Sequence, residues 1–174
     1  NNVAITDEDA IVLGASTVSG TYGITAAGAV TDTGALAITG VTTIAAGSGN
    51  NITLDHTSNN FQAAVQITSG NNVTLVDAGA IVLGESTVTG TYDVTAGGPV
   101  SQCTVATCGS DTTLTITGAT TIDAGTNAVT LANASNDFSE TVSGTLGGAV
   151  GIKGAAVSIR DTNDLDLGAT TTTG

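Results

Sequence analysis

Short apolar segments recur along the chain, and polar residues alternate inside them. In the first part of the sequence they read Val3-Ala4-Ile5, Ile11-Val12-Leu13, Tyr22-Gly23-Ile24, Leu36-Ala37-Ile38, Thr42-Thr43-Ile44, Ile52-Thr53-Leu54 and Val65-Gln66-Ile67. A period of two belongs to a β-strand, whose successive side chains point to opposite faces. Each segment therefore predicts a short strand with its apolar set inward and a Thr, Ser or Ala set outward. Gly, Asn and Asp fall between the segments, where turns need a positive φ or a side chain that bonds its own backbone. No window sustains helical periodicity, so the fold class is all-β.

The segments repeat at two scales. N-N-V-A-I-T-D-E-D-A-I-V-L-G-A-S-T-V-S-G opens the chain, N-N-V-T-L-V-D-A-G-A-I-V-L-G-E-S-T-V-T-G follows at Asn71, and A-A-V-S-I-R-D-T-N-D-L-D-L-G-A-T-T-T-T-G begins at Ala155. The middles match as well: L-A-I-T-G-V-T-T-I at Leu36 with L-T-I-T-G-A-T-T-I at Leu114, and I-T-L-D-H-T-S-N-N-F at Ile52 with V-T-L-A-N-A-S-N-D-F at Val129. This gives a single domain over 1–174, with repeats 1–70 and 71–154 and a partial repeat 155–174. The second repeat is longer, and its extra residues are expected as loop insertions near 103–110 and 139–154, since a stacked strand cannot absorb them. Inside each repeat the strands group into rungs, about 21–40, 41–63 and 64–90. A chain whose short strands recur at this interval winds into a coil, each rung bonded to the next, whereas a sandwich gives no reason for the repeat. The expectation is a β-solenoid of about six to seven rungs, a rod of roughly 30 Å at the strand spacing of a sheet.

Composition narrows the core. Of 174 residues 24 are Gly, 2 are Phe, 2 are Tyr and none is Trp or Met, while 40% are hydrophobic. Such a chain fills a thin core with β-branched side chains instead of a thick one with aromatics. Fifteen acidic residues against Lys153 and Arg160 leave a net charge of −13. Two cations cannot displace the counterions of a nucleic acid or hold an anionic membrane surface, so neither is expected as a partner. No apolar run approaches the length of a membrane-spanning helix, and membrane insertion is not expected. The chain opens at Asn1 without Met, which suggests a leader or a larger protein upstream. Cys103 and Cys108 flank T-V-A-T; no second pair or His cluster makes a zinc pattern, and a local disulfide in an oxidising compartment is expected.

The segments N-V-T-L-V-D-A-G-A-I-V-L-G-E-S-T-V-T-G-T-Y-D-V-T-A-G-G, T-L-T-I-T-G-A-T-T-I-D-A-G and V-T-L-A-N-A-S-N-D-F resemble the repeats of filamentous-haemagglutinin-like bacterial exoproteins and adhesins. The resemblance covers essentially the whole chain. It implies a right-handed parallel β-helix, export across a Gram-negative envelope to the cell surface or the extracellular space, and a mechanical role as stalk, adhesin or matrix fibre. The partners expected are neighbouring repeats or identical subunits stacked end to end, with host or matrix glycans as the ligand class. The family carries no catalytic motif to transfer.

Candidate chemistry is sparse. Asp7, Glu8 and Asp9 cluster, and Asp161, Asp164 and Asp166 occupy the matching turn, as in polysaccharide-active β-helices. Asp7, Asp77 and Asp161 recur at one repeat position, however, and that points to a structural turn. His56 has Asn133 as its counterpart and reads as a turn residue, so no Ser-His-Asp set can be assembled. The chain is therefore not expected to be an enzyme, and no cofactor is expected. Calcium is a weak candidate: oxygen-rich turns suit it, but Gly147-Gly148-Ala149-Val150-Gly151 lacks the aspartate of the calcium nonapeptide. The formal sequons at Asn51, Asn72 and Asn133 follow from an Asn/Thr-rich composition. Tyr22 with Tyr92, and Phe61 with Phe138, are repeat-locked and read as core or corner residues. Thr42-Thr43, Thr120-Thr121 and Thr170-Thr171-Thr172-Thr173 supply Thr without the every-rung ladder of an ice-binding face. The ends show no capping helix, which favours continuation by more repeats or head-to-tail stacking.

Overall fold

The computed structural model describes residues 1–104, 108, 112–138 and 148–173. The first turn consists of β1 (Val3–Asp7), β2 (Ile11–Leu13) and β3 (Ser16–Val18). The second is β4 (Tyr22–Ala26), β5 (Val30–Asp32) and β6 (Leu36–Ile38), and the third is β7 (Thr42–Ala45), β8 (Ile52–Leu54) and β9 (Asn60–Phe61). Every pairing is parallel and joins a strand to its counterpart one turn on: Val3 with Tyr22, Ile11 with Val30, Ser16 with Leu36. The chain is thus a parallel β-solenoid with three sides. Its core holds one inward side chain per alternate strand position, among them Ile24, Leu36, Ile38, Ile44, Ile52 and Leu54, all essentially inaccessible. That is the alternation read from the sequence.

The repeat does not close on itself. β10 (Ala64–Gly70) is a tenth segment and stacks on β7, Val65 over Thr42. β11 (Val73–Asp77), the counterpart of β1, therefore falls on the next side, with Val73 over Ile52 of β8. The second repeat continues with β12 (Ile81–Val88), β13 (Tyr92–Ala96), β14 (Val100–Gln102), β15 (Leu114–Ile116), β16 (Thr120–Asp123), β17 (Val129–Leu131), β18 (Asp137–Phe138) and β19 (Val150–Gly154). β12 lays Ile81–Leu83 over the start of β10 and Ser86–Val88 over its end, with register shifts between. It serves two sides, so this repeat also contributes ten segments. Ten segments at three per turn make three and one third turns, and each repeat is displaced by one side from the last.

Two columns of inward residues make the displacement visible. Val3, Tyr22, Thr42 and Val65 stack in the first sheet. Their counterparts Val73, Tyr92, Thr120 and Val150 stack in the second. β20 (Val157–Ile159), which opens the third copy, lies over β17, the side that follows in winding order. β21 (Leu167–Thr172) completes the second sheet, β2-β5-β8-β11-β13-β16-β19-β21.

That sheet counts eight strands, one per turn, against the six to seven rungs expected. The stretch near 64–90, read from the sequence as one rung, holds β10, β11 and both halves of β12. The polar segments β3, β5 and β9 had no apolar signature to betray them. Seven spacings of about 4.8 Å give a rod of about 34 Å. Of the expected insertions, residues 105–107, 109–110 and 139–147 lie outside the described residues. Residues 150–154 are not a loop: they form β19, the counterpart of β10, with Val150 over Thr120.

One corner depends on glycine. Gly40 N–H donates to the Gly20 carbonyl at 3.0 Å, and Gly118 N–H to the Gly90 carbonyl at 3.1 Å. A Cβ on Gly40 or on Gly118 would run into that same carbonyl group one turn below.

Candidate functional site

Of the recurring aspartates, Asp77 sits in a buried corner, while Asp161 is half-buried and Asp7 exposed. Asp77 is 2% exposed, and its two carboxylate oxygens are divided between two backbone donors. Phe61 N–H, one turn below, donates to Oδ2 at 2.7 Å, and Gly79 N–H donates to Oδ1 at 2.7 Å. Beneath them the fully buried Asn59 accepts the Leu36 N–H on Oδ1 at 2.8 Å, and its Nδ2 donates to Asp32 Oδ2 at 2.6 Å. The second repeat rebuilds the corner one side further on. Asn136 accepts the Leu114 N–H at 3.1 Å, its Nδ2 donates to Gln102 Oε1 at 3.0 Å, and Phe138 N–H donates to Asp161 Oδ1 at 3.1 Å. Burial pushes the Asp77 carboxyl above its usual range, and the N–H groups of Phe61 and Gly79 only partly offset it. These side chains close backbone valences where the chain leaves the ladder. Asp7 makes the same local turn, accepting the Asp9 N–H at 2.8 Å.

The other candidates stay apart. Glu8, Asp9 and Asp164 are exposed, and Asp166 is half-buried. Among the described residues no group of three or more His, Cys, Asp or Glu lies close enough together to hold a metal ion. His56 Nδ1 accepts the Ser58 N–H at 3.2 Å, and Asn133 Oδ1 accepts the Ser135 N–H at 2.9 Å. The two counterparts therefore do the same work in the same turn. Tyr22, Tyr92, Phe61 and Phe138 are all in the core, and burial raises the Tyr92 phenol well above its ordinary value. The Asn51 and Asn72 amides are occupied in the stack: Asn51 Oδ1 accepts the Asn72 N–H at 3.2 Å, and Asn72 Oδ1 accepts the Thr91 N–H at 3.0 Å. Outward Thr31, Thr53 and Thr74 stand in register on three successive turns, and Asp93 interrupts the row.

Two features lie on the outer surface. Lys153 Nζ pairs with Asp123 Oδ2 at 3.0 Å. The Gly125 N–H, and then Lys153, hold the Asp123 carboxyl below its usual range. Cys103 and Cys108 form a disulfide, their Cα atoms 6.1 Å apart. Both sulfur-bearing residues border a depression of about 350 Å³ whose wall includes Gln62, Val82 and Ser101.

Sequence reasoning marked the aspartates but missed Asp32, Asn59, Gln102 and Asn136. The signal was there in S-N-N-F and S-N-D-F, each with an Asn two residues before a core Phe. A polar residue facing inward simply does not register in an apolar pattern.

The family described as repeats of unknown function (DUF5649) matches residues 1–68 and 70–145. No curated protein and no solved structure matches the chain.

Proposed function

The chain belongs to the DUF5649 family of repeats, and on that premise we propose that it is a structural, non-catalytic segment of a secreted bacterial surface fibre or adhesin stalk. The observation that supports this reading most is the unbroken parallel ladder of the second sheet, from Ile11–Leu13 through eight turns to Leu167–Thr172. A continuous ladder over a continuous thin core makes a stiff rod whose stability is additive from turn to turn. The recurring polar side chains support the same reading, because Asp77, Asn59 and their counterparts are spent on backbone donors. The disulfide and the scarcity of cations fit an oxidising, extracellular setting.

Electron microscopy of the native assembly, with an antibody to this chain, tests the proposal. Label along thin rods at the cell surface is expected; label confined to the cytoplasm would overturn it. Growth of purified chains into filaments would favour the alternative, a subunit that stacks head to tail. The enzyme alternative would be favoured by uronate-degrading activity abolished by Asp161→Asn.

A further inference from the structure

One outward column runs from turn to turn without a charge. Asn2, Thr21 and Val41 precede the stacked Val3, Tyr22 and Thr42, and Ala64 precedes Val65 in the same register. Ala64 then continues to Val82, Ser101, Thr130 and Ser158. Three depressions follow this column, of about 500, 350 and 340 Å³. The first two share Val41, and the last two share Gln102, Cys103 and Thr104. Together they form one axial groove. From Asn2 to Thr130 it crosses six spacings of about 4.8 Å, a length of about 29 Å. It joins the two repeats at Ala64 and Val82, where β12 takes its place on β10.

The lining is chemically uniform. The chain carries fifteen Asp and Glu, yet among the described residues none that is charged lines any of the three depressions. Its polar groups are hydroxyls and amides, such as Thr43, Gln62, Ser101 and Asn133, set among small apolar patches at Val41, Ala63 and Val82.

We propose that this groove binds a neutral, extended, β-linked polysaccharide laid along the solenoid axis. Hydroxyls and amides match sugar hydroxyls, and the Val and Ala patches match the apolar ring faces. An extended β-linked chain advances by a length similar to the rung spacing per sugar, so successive turns meet successive sugars, with alternate sugars turned over. A peptide fits poorly, because strand addition needs an open sheet edge and the groove crosses strands whose backbone groups are already paired along the stack. An anionic polymer is opposed by the net charge of −13. The Cys103–Cys108 disulfide fixes the wall where the second and third depressions meet. This proposal stands independently of the fibre reading.

The test is calorimetric titration of the intact chain with cellohexaose, laminarihexaose and chitohexaose, and with the corresponding disaccharides. At least one hexasaccharide is expected to bind about tenfold or more tighter than its disaccharide. Ser101→Glu and Val82→Glu, each on the groove floor, are expected to weaken binding by about tenfold or more. Thr53→Glu, on the second sheet, is expected to leave it unchanged, and thermal melts check that all three variants fold. Reduction of the disulfide is expected to weaken binding as well. Failure of all three hexasaccharides to bind overturns the proposal. So does equal binding of polygalacturonate, or an equal response to Ser101→Glu and Thr53→Glu.

Discussion

Val73 stands in register over Ile52, not over Thr42, although its counterpart Val3 belongs to the Thr42 column. That single placement carries the one-side displacement of the whole second repeat. It can be tested by crosslinking. Thr53 and Thr74 are direct neighbours across two parallel strands, at a spacing within disulfide reach. The double variant Thr53→Cys/Thr74→Cys is expected to form a new disulfide on oxidation, identified by mass spectrometry of peptides. The pair Thr43→Cys/Thr74→Cys is expected to form none. The reverse pattern would mean that like faces of the repeats stack directly on one another.

Asp77→Asn is expected to destabilise the chain, because an amide offers one acceptor where Asp77 serves the N–H groups of Phe61 and Gly79 with two. The cost is about 1–3 kcal/mol, that of a buried donor left unpaired. Its pH dependence has a definite sign. The folded carboxyl lies above its unfolded value near 3.8. Between those two values the native state holds the extra proton, so this group's contribution to stability falls as pH rises through the window. Urea unfolding of both proteins is expected to show a larger gap below the window than at neutral pH. A gap that widens with pH would refute the assignment.

Thr42 and Thr120 are each 1% exposed, and neither Oγ1 has a hydrogen-bond partner among the described residues. Replacing a buried, unpaired hydroxyl with a methyl of similar shape removes its desolvation cost. Thr120→Val is therefore expected to stabilise by about 1 kcal/mol, which for a chain of this size raises Tm by about 2–4 °C. Thr42→Val is expected to do the same, since it occupies the equivalent place in the first repeat. Thermal unfolding followed by circular dichroism measures both; a lower Tm would show that the hydroxyl is bonded after all.

Gly40→Ala is expected to cost about 1–3 kcal/mol through overpacking, because its Cβ meets the Gly20 carbonyl. Gly14→Ala is the matched control, with open space around its Cβ. Chemical denaturation of the two variants separates the effects, and equal midpoints would remove the close approach as the reason for glycine at position 40.

Part of the corner was legible in advance and part was not. Asp7, Asp77 and Asp161 recur at one repeat position, and recurrence at a turn marked them as structural. The amides that complete the corner, Asn59 and Asn136, are also repeat-locked, but they point inward at positions an apolar pattern assigns to no strand. Val30–Asp32 was missed for the same reason: Asp32 takes an inward place and is held by Asn59. The groove could not be read at all, because Asn2, Thr21, Val41, Ala64, Val82, Ser101 and Thr130 share no sequence motif.

What the sequence determined by itself was local: short strands from the alternation of apolar and polar residues, turns from Gly, Asn and Asp, and a stacked coil from their recurrence. What only the tertiary structure decided was phase. Backbone ladder bonds are the same for any pair of parallel strands and carry no sequence information, so they cannot say which strand lies over which. That choice rests on β10, the tenth segment, and on the fork where Ala64 meets Val82 and Ile67 meets Ser86. One extra strand per repeat turns the second copy by one side. A count of segments per turn exists only once the chain is wound.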